Sequence, residues 1–462
     1  MAKLAASVER KTSPSKTDAS KMSDTKHPSK TKELIRYVLP SVGSMMFYSL
    51  YVVVDGIFVG RGIGETALGA VNLATPALGF LSAIAFMLIM GAATIASISF
   101  GRGDKSRAND VFSNCLLVIG VLSIIFSMVA LFFAEQLAIV CGAKGELIDE
   151  TATYMRSYLG FGFFFVLSFL FSTFVRNDGN PALAFWGMAS GTILNIFLDW
   201  LFIYPLQMGI LGAGLASGLG TVLSFSILVF HFILKRGELR FQRPRYNGAL
   251  MKETLKRGFP EFVTQMCNPV LTYCYNIIVL RIHGEFGLAA FAMIGYLLYV
   301  FMAMSSGIAQ GVQPLISRRF GQSKHKEERF FFRAGLVTNI CVSALLYFIT
   351  LLAGKTVYTI FSPDPALIDM AYHGTLYIGV GMVLSAVNIS FSGYFLATQR
   401  TKQALIVAIC RAFVFTAPII LLTPVILGNE AVWSGMIGSE LCVAILAVFL
   451  YIKLRRKDKS KA

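Results

Sequence analysis

The sequence is poor in charge. Of its 462 residues only 14% are charged, against roughly 25% in an ordinary soluble domain. Five histidines and seven cysteines leave little material for a metal enzyme. The cysteines (Cys115, Cys141, Cys267, Cys274, Cys341, Cys410 and Cys442) are odd in number and form no CxxC. Nearly all lie in apolar runs, so they read as small buried hydrophobes rather than a disulfide framework. Catalytic motifs are also missing. The one GK[ST] is Gly354-Lys355-Thr356, with Ile349 where a phosphate loop needs glycine. There is no HExxH, no GxSxG and no GxGxxG after a strand. No soluble stretch is long enough to hydrolyse ATP, so the sequence reads as neither an enzyme nor an ATP-driven pump, and no cofactor is expected. The first 32 residues are polar and lack the apolar core of a secretory signal. They read as a disordered basic tail.

What the chain has is hydrophobicity. Fifty-five per cent of it is apolar, with 39 Phe, 41 Gly and 18 Met, and the mean hydropathy is +0.66. A bilayer span needs roughly 20 apolar residues. About twelve stretches qualify, near 37–60, 67–99, 110–134, 149–175, 181–203, 210–235, 255–281, 287–317, 330–353, 366–396, 402–426 and 431–453. The net charge of +16 suggests nucleic acid in isolation. Its distribution rejects that partner, because the Lys and Arg residues fall in alternate short gaps between apolar runs. Arg102, Lys105 and Arg107 occupy one such gap, and Arg318, Arg319, Lys324, Lys326 and Arg329 another. The positive-inside rule then predicts cytoplasmic termini on a multi-pass protein of the cell membrane. The expected divisions are a tail over 1–32, an N-lobe over 33–235, a linker over 236–254, a C-lobe over 255–453 and a basic tail over 454–462.

The halves repeat. At an offset of 220, Lys32 matches Lys252, Pro40 matches Pro260, Arg61 matches Arg281 and Gly64 matches Gly284. Gly91 matches Gly311, Phe100 matches Phe320 and Gly101 matches Gly321. Six spans per half make the repeat parallel, with its axis along the membrane normal. The expected fold is therefore an all-α polytopic membrane protein of two six-helix bundles flanking a central cavity, the geometry of alternating access.

Acids within spans cost about 2.5–3.5 kcal/mol on insertion scales, so each asks for a reason. Asp55 lies in span 1 and Asp199 in span 5, each roughly 8 Å from the outer end of its helix. Asn195 precedes Asp199 by one helical turn, and Ser217 of span 6 lies at comparable depth. These four make a hard oxygen cluster suited to a proton or to Na⁺; otherwise they are separate polar residues near the interface. The second half lacks the cluster: Tyr275 stands at the position of Asp55. It buries Arg411 and Glu440 instead, which read as a mutual pair, either a structural clamp or a contact for substrate. Tyr48, Tyr51, Gln265, Asn268, Tyr273, Asn276, Met293, Tyr296, Tyr299, Gln310 and Gln313 offer polar, thioether and aromatic surface for a cavity, and aromatic faces attract organic cations. Pro40 and Pro260 are candidate hinges, or else helix starts.

These features resemble the multidrug and toxic compound extrusion (MATE) family, in its DinF-like bacterial branch. The resemblance spans about residues 33–455 and rests on VVVDGIFVGRGIGETALGAVNLATP, RNDGNP at 176–181, LNIFLD at 194–199, GAGLASGLG, and AQGVQPLISRRFG at 309–321. It implies twelve helices in two lobes and export of amphipathic, often cationic compounds in exchange for H⁺ or Na⁺. It also places the family's cation-binding residues on Asp55, Asn195, Asp199 and Ser217, the last often Thr. Small organic substrates and the bilayer are the implied partners, with a monomer and no obligate protein partner. The alternative is a lipid-linked saccharide flippase of the same superfamily, which typically has more spans and a basic cavity.

Overall fold

The computed structural model describes residues 29–145, 147–242, 246–360 and 362–460. Most of the expected N-terminal tail lies outside the described residues, and Lys30 to Lys32 already belong to the first helix. Ser29 caps that helix by accepting from the Lys32 amide at 3.3 Å. Among the described residues the regular structure is helical.

Among the described residues ten helices are long and apolar enough to cross a membrane, and the pair Leu147–Leu159 and Gly162–Asn177, bent by 45°, forms one more span. The 74-residue stretch Gly248–Gly321 reverses at Gly284; divided there, it brings the total to twelve. Tyr275 and Phe291 stack at 4.9 Å across that reversal. Gly284 has φ 64° and ψ −157°, and its repeat mate Gly64 has φ 131° and ψ 179°. Only glycine adopts this region without strain, so each half closes its first hairpin with the same residue.

Spans 1 to 3 are Lys30–Gly62, Glu65–Gly101 and Lys105–Phe132. Span 4 is the bent pair, and spans 5 and 6 are Pro181–Ile203 and Gly209–Ile233. Span 7 begins with Gly248–Gln265 and continues from Cys267 to the reversal, after which span 8 runs to Gly321. Spans 9 and 10 are His325–Ala353 and Pro365–Ala397. Span 11 joins Thr401–Ile409 to Thr416–Leu427 through a π-helical turn at Cys410–Val414, and span 12 is Gly435–Lys459. The expected boundaries shift accordingly: 248–254 belong to span 7, and 454–459 continue span 12.

The loop RNDGNP shows why its residues are there. Gly179 turns with φ 93°, Asn180 accepts from the Leu183 amide at 3.2 Å, and Pro181 opens span 5 where its missing N–H is not needed. Asp178 holds the linker, accepting from the Glu238 and Leu239 amides at 2.7 and 3.1 Å and pairing with His231 at 2.9 Å. Asn109 and Ser113 of span 3 accept from the next linker amides, those of Arg240 and Gln242. The linker is thus strapped across the end of the N-lobe.

Each lobe has its own core. In the N-lobe Phe112 packs on Phe174 and Phe232 at 4.8 and 4.9 Å, pairs worth about 0.5–1.5 kcal/mol each beyond burial. In the C-lobe Trp433 packs with Tyr275, Phe291 and Met436. Met293 joins this core rather than a cavity. All seven cysteines are free; three are buried, whereas Cys341 is exposed.

The lobes meet on the side that carries both termini. A Cβ added at Gly307 or Gly311 of span 8 would strike the backbone of span 1 at Val42 or Val38, at 2.7 and 2.8 Å. One at Gly91 of span 2 would strike the Thr254 carbonyl at 2.3 Å, and Gly101 faces Gly321 in the same way. Small residues let membrane helices approach this closely without a hydrophobic drive. By contrast, a Cβ at Gly56, Gly79 or Gly295, nearer the opposite side, would meet nothing within 4 Å.

Candidate functional site

The N-lobe brings Asp55, Asn195, Asp199 and Ser217 together. All four are buried, Asp199 completely and Asp55 to 6% exposure. Span 5 presents Asn195 and Asp199 on one face, as their spacing of one turn requires. Ser217 Oγ accepts from Asn195 Nδ2 at 3.3 Å and from the Tyr51 hydroxyl at 3.1 Å. The carboxyls of Asp55 and Asp199 lie beside each other. Among the described residues four oxygens of this cluster are buried without a hydrogen-bond partner: Asp55 Oδ1, both carboxylate oxygens of Asp199, and Asn195 Oδ1. Buried polar atoms are ordinarily satisfied, and two adjacent carboxylates repel unless positive charge lies with them. Converging unpartnered acceptors are the donor set of a hard cation or a shared proton.

Two residues of this site are not evident in the sequence reading. Tyr154 and Tyr158 of span 4 pack with ring centroids 5.8 Å apart and planes tilted by 60°. Tyr154 lies beside Ser217 and within electrostatic reach of both aspartates; Tyr158 lies beside the Tyr51 hydroxyl. They lie one turn apart on one face of the helix Leu147–Leu159, a face that also carries Thr151.

The residues expected to line a cavity divide into two sets. Tyr48 and Tyr51 are half-buried near the cation cluster, and Tyr299 of the C-lobe faces Tyr48 and Tyr158 across the lobes. Asn268, Tyr273, Asn276 and Tyr296 are exposed, and Gln265 is half-buried. Polar residues at 265, 268, 272 and 276 share one face of span 7, and a polar face within a span belongs to water rather than lipid. Gln310 and Gln313 lie at the seam between the lobes. Gln313 donates to Thr94 Oγ1 at 2.9 Å, and Gln310 accepts from the buried Arg176 at 3.1 Å and reaches Met45 Sδ at 3.6 Å. Both bind across the interlobe seam, because their helix face meets spans 1, 2 and 4 there.

Arg411 and Glu440 are joined. Arg411 Nε and Nη2 donate to Glu440 Oε1 at 3.1 and 2.9 Å, and Nη2 also donates to Ser385. Asn388 Nδ2 donates to Glu440 Oε2 at 2.6 Å. Arg411 sits in the π turn, which Thr416 supports by donating to the Arg411 carbonyl. Pro40 and Pro260 both lie inside helices. The break in span 7 falls at Met266, beyond Pro260.

The sequence model of the MatE family matches residues 40–201 and 260–422. The chain belongs to the MatE family. Its two matches begin at 40 and 260, the offset at which the halves repeat. MatE relatives include the multidrug export protein MepA of Staphylococcus haemolyticus, 24% identical over 428 residues, covering 92% of this chain and 94% of the relative. A solved structure of a MATE protein in complex with MaL6 superimposes with a TM-score of 0.87 at 22% identity, over 94% of this chain and 98% of the other. An outward-facing conformation of a multidrug resistance MATE transporter of the MOP superfamily gives the same TM-score and identity, over 94% and 97%. The chain is thus a multi-pass membrane protein with the MATE fold.

Proposed function

We propose that the protein is a cation-coupled antiporter that exports amphipathic, often cationic, organic compounds from the cell by alternating access. The relatives named as multidrug exporters match along almost their whole length, which supports export of this kind. The observation that carries the coupling is the set of four unpartnered buried oxygens on Asp55, Asn195 and Asp199. A site of this kind holds positive charge in one state and releases it in another, which ties cation entry to substrate exit. Its oxygen donors suit both H⁺ and Na⁺. Ser217 fixes the Asn195 amide, and Tyr51 links the site to the aromatic surface at Tyr48 and Tyr299.

The termini are assigned to the cytoplasm on the Lys and Arg bias of their side, and the protein to the plasma membrane as a monomer. The closed seam is then cytoplasmic and the conformation outward-facing. Transport is expected to need no cofactor beyond the coupling ion. Uptake of an organic cation such as ethidium into vesicles under an imposed pH or Na⁺ gradient tests the reading. Gradient-driven movement of ethidium supports it. Gradient-independent movement of a lipid-linked saccharide, with none of ethidium, would replace it by a flippase.

A further inference from the structure

Between spans 9 and 12, on the side of the termini, lies a groove of about 510 Å³ lined by Lys326, Arg329, Phe330, Arg333, Val337 and Arg455. It lies in the C-lobe and shares no residue with the Asp55 cluster. Its cations are unspent. Lys326, Arg329 and Arg333 have no acidic partner among the described residues, while every acid nearby is engaged elsewhere. Glu327 holds Arg319 at 2.8 Å and Lys30 at 3.9 Å. Glu328 accepts from Tyr394 at 2.8 Å and pairs with His325 at 2.9 Å. Asp458 holds Arg400 at 2.8 Å. Arg455 lies over the Tyr451 ring at 5.7 Å, which orients its guanidinium without neutralising it.

The groove is also amphipathic along the membrane normal. Span 9 has 29 residues, roughly 42 Å of helix, about 12 Å more than the hydrocarbon layer. Its first two and a half turns, with Lys326, Arg329 and Arg333, therefore stand at headgroup depth. Phe330 and Val337 are exposed beside them, 37% and 57%, and Leu345, Phe348 and Ile349 continue the apolar surface further along the helix. A general positive-inside bias accounts for basic loops. It does not account for a cavity in which half-buried Arg329 and Arg455 converge with two further cations above an apolar wall.

We infer that this groove binds the headgroup of an anionic phospholipid, its phosphate among Arg329, Arg333 and Arg455 and its acyl chains along Phe330 and Val337. Charge complementarity selects the headgroup: a single phosphate diester with no cationic choline answers an unpaired cluster of positive charge. The bound lipid would join the ends of spans 9 and 12 within the C-lobe.

Native mass spectrometry of the full-length protein, delipidated in detergent and titrated with phosphatidylglycerol or phosphatidylcholine, tests this. Phosphatidylglycerol is expected to bind as a discrete adduct and phosphatidylcholine much more weakly. The triple variant K326Q/R329Q/R333Q is expected to lose roughly a hundredfold in affinity for phosphatidylglycerol, taking about fivefold per charge near the surface. R329K/R333K is expected to retain most of it. The same charge removed from the linker and the start of span 7, R236Q/K252Q/K256Q, is expected to change little. Equal binding by wild type and the triple variant would overturn the site, as would equal loss in that control variant. Displacement of the adduct by glycerol phosphate at matching concentration would overturn the lipid assignment in favour of a plain anion site. Should the triple variant fold poorly, R333Q alone carries the test, with an expected loss of about fivefold.

Discussion

Arg176 Nη1 donates to Gln310 Oε1 at 3.1 Å, joining the end of span 4 in one lobe to span 8 in the other. Arg176 is only 3% exposed, and its Nε has no partner. Around this bond lie the glycine approaches between the lobes and the ion pair Arg319–Glu33 at 2.8 Å. Under the proposed alternating access all of these would part together. The seam would then act as one latch, with a buried charged hydrogen bond as its most specific element.

Weakening the latch is expected to shift the balance between states. Gln310→Ala leaves Arg176 without its acceptor, and hydrogen bonds to charged groups contribute about 1.5–3 kcal/mol. The state open on the terminal side is expected to gain roughly tenfold to a hundredfold in population. Double electron–electron resonance between spin labels on spans 2 and 8 would read it. A distance distribution identical to wild type would remove this bond from the gate.

Asp55→Asn and Asp199→Asn are each expected to lower gradient-driven efflux by at least the ~10–100-fold seen when a ligand's supporting groups are lost. Folded yield should change little, because Asn fits the same space. Ser217→Ala is expected to act more mildly, since it removes an acceptor of the Asn195 amide and not a charge. Efflux assays in vesicles of matched protein content check all three. Wild-type rates in both aspartate variants would sink the N-lobe cation site.

Much of this was legible in the sequence, for identifiable reasons. The twelve spans follow from the length of the apolar runs, and the two lobes from a repeat anchored by Gly64 and Gly284. Asp55 and Asp199 stood out because a carboxylate in an apolar helix is conspicuous. Tyr154 and Tyr158 did not stand out, because tyrosine is common in spans and only packing shows which ones reach an aspartate. The seam partners of Gln310 and Gln313 were hidden for a related reason. A polar residue in a span faces either water or a polar partner, and periodicity alone does not say which. The start of span 1 was also hidden, since Lys30 to Tyr37 form a helix that extends past the apolar layer.

The Arg411–Glu440 pair invites a double-mutant cycle. Arg411→Ala leaves Glu440 with Asn388 alone, and breaking one side of a buried pair costs about 3–5 kcal/mol in soluble proteins. Arg411→Ala is expected to reduce folded yield and thermal stability. The double variant Arg411→Met with Glu440→Gln is expected to recover much of the loss, because it leaves no lone charge. Fluorescence-detected size exclusion across a temperature series measures this. Additive losses in the double variant would show that the two charges do not depend on each other.

Pro40 lies ten residues inside the helix Lys30–Gly62, so it does not start that helix. Lacking an N–H, it leaves the Arg36 carbonyl without its helical donor. Ser41 and Ser44 donate side-chain bonds to the Tyr37 and Pro40 carbonyls at 2.7 and 2.9 Å, a back-bonding that itself favours bending. The same short stretch carries close interlobe contacts, Gly311 against Val38 and Gly307 against Val42. Span 1 is therefore softest where the lobes must separate, and the same span carries Asp55 roughly 22 Å further along. A change of bend at Pro40 would move Asp55 relative to span 5 and so couple the cation site to the seam. Pro40→Ala restores the missing donor, and alanine is favoured over proline in a helix interior by about 3 kcal/mol. The variant is expected to be at least as stable as wild type, yet to transport several-fold more slowly. Its substrate affinity should change little, because Pro40 is remote from Tyr48 and Tyr51 by two turns or more. Slower transport accompanied by a fall in thermal stability would point to simple damage, and an unchanged rate would leave Pro40 without a part in coupling.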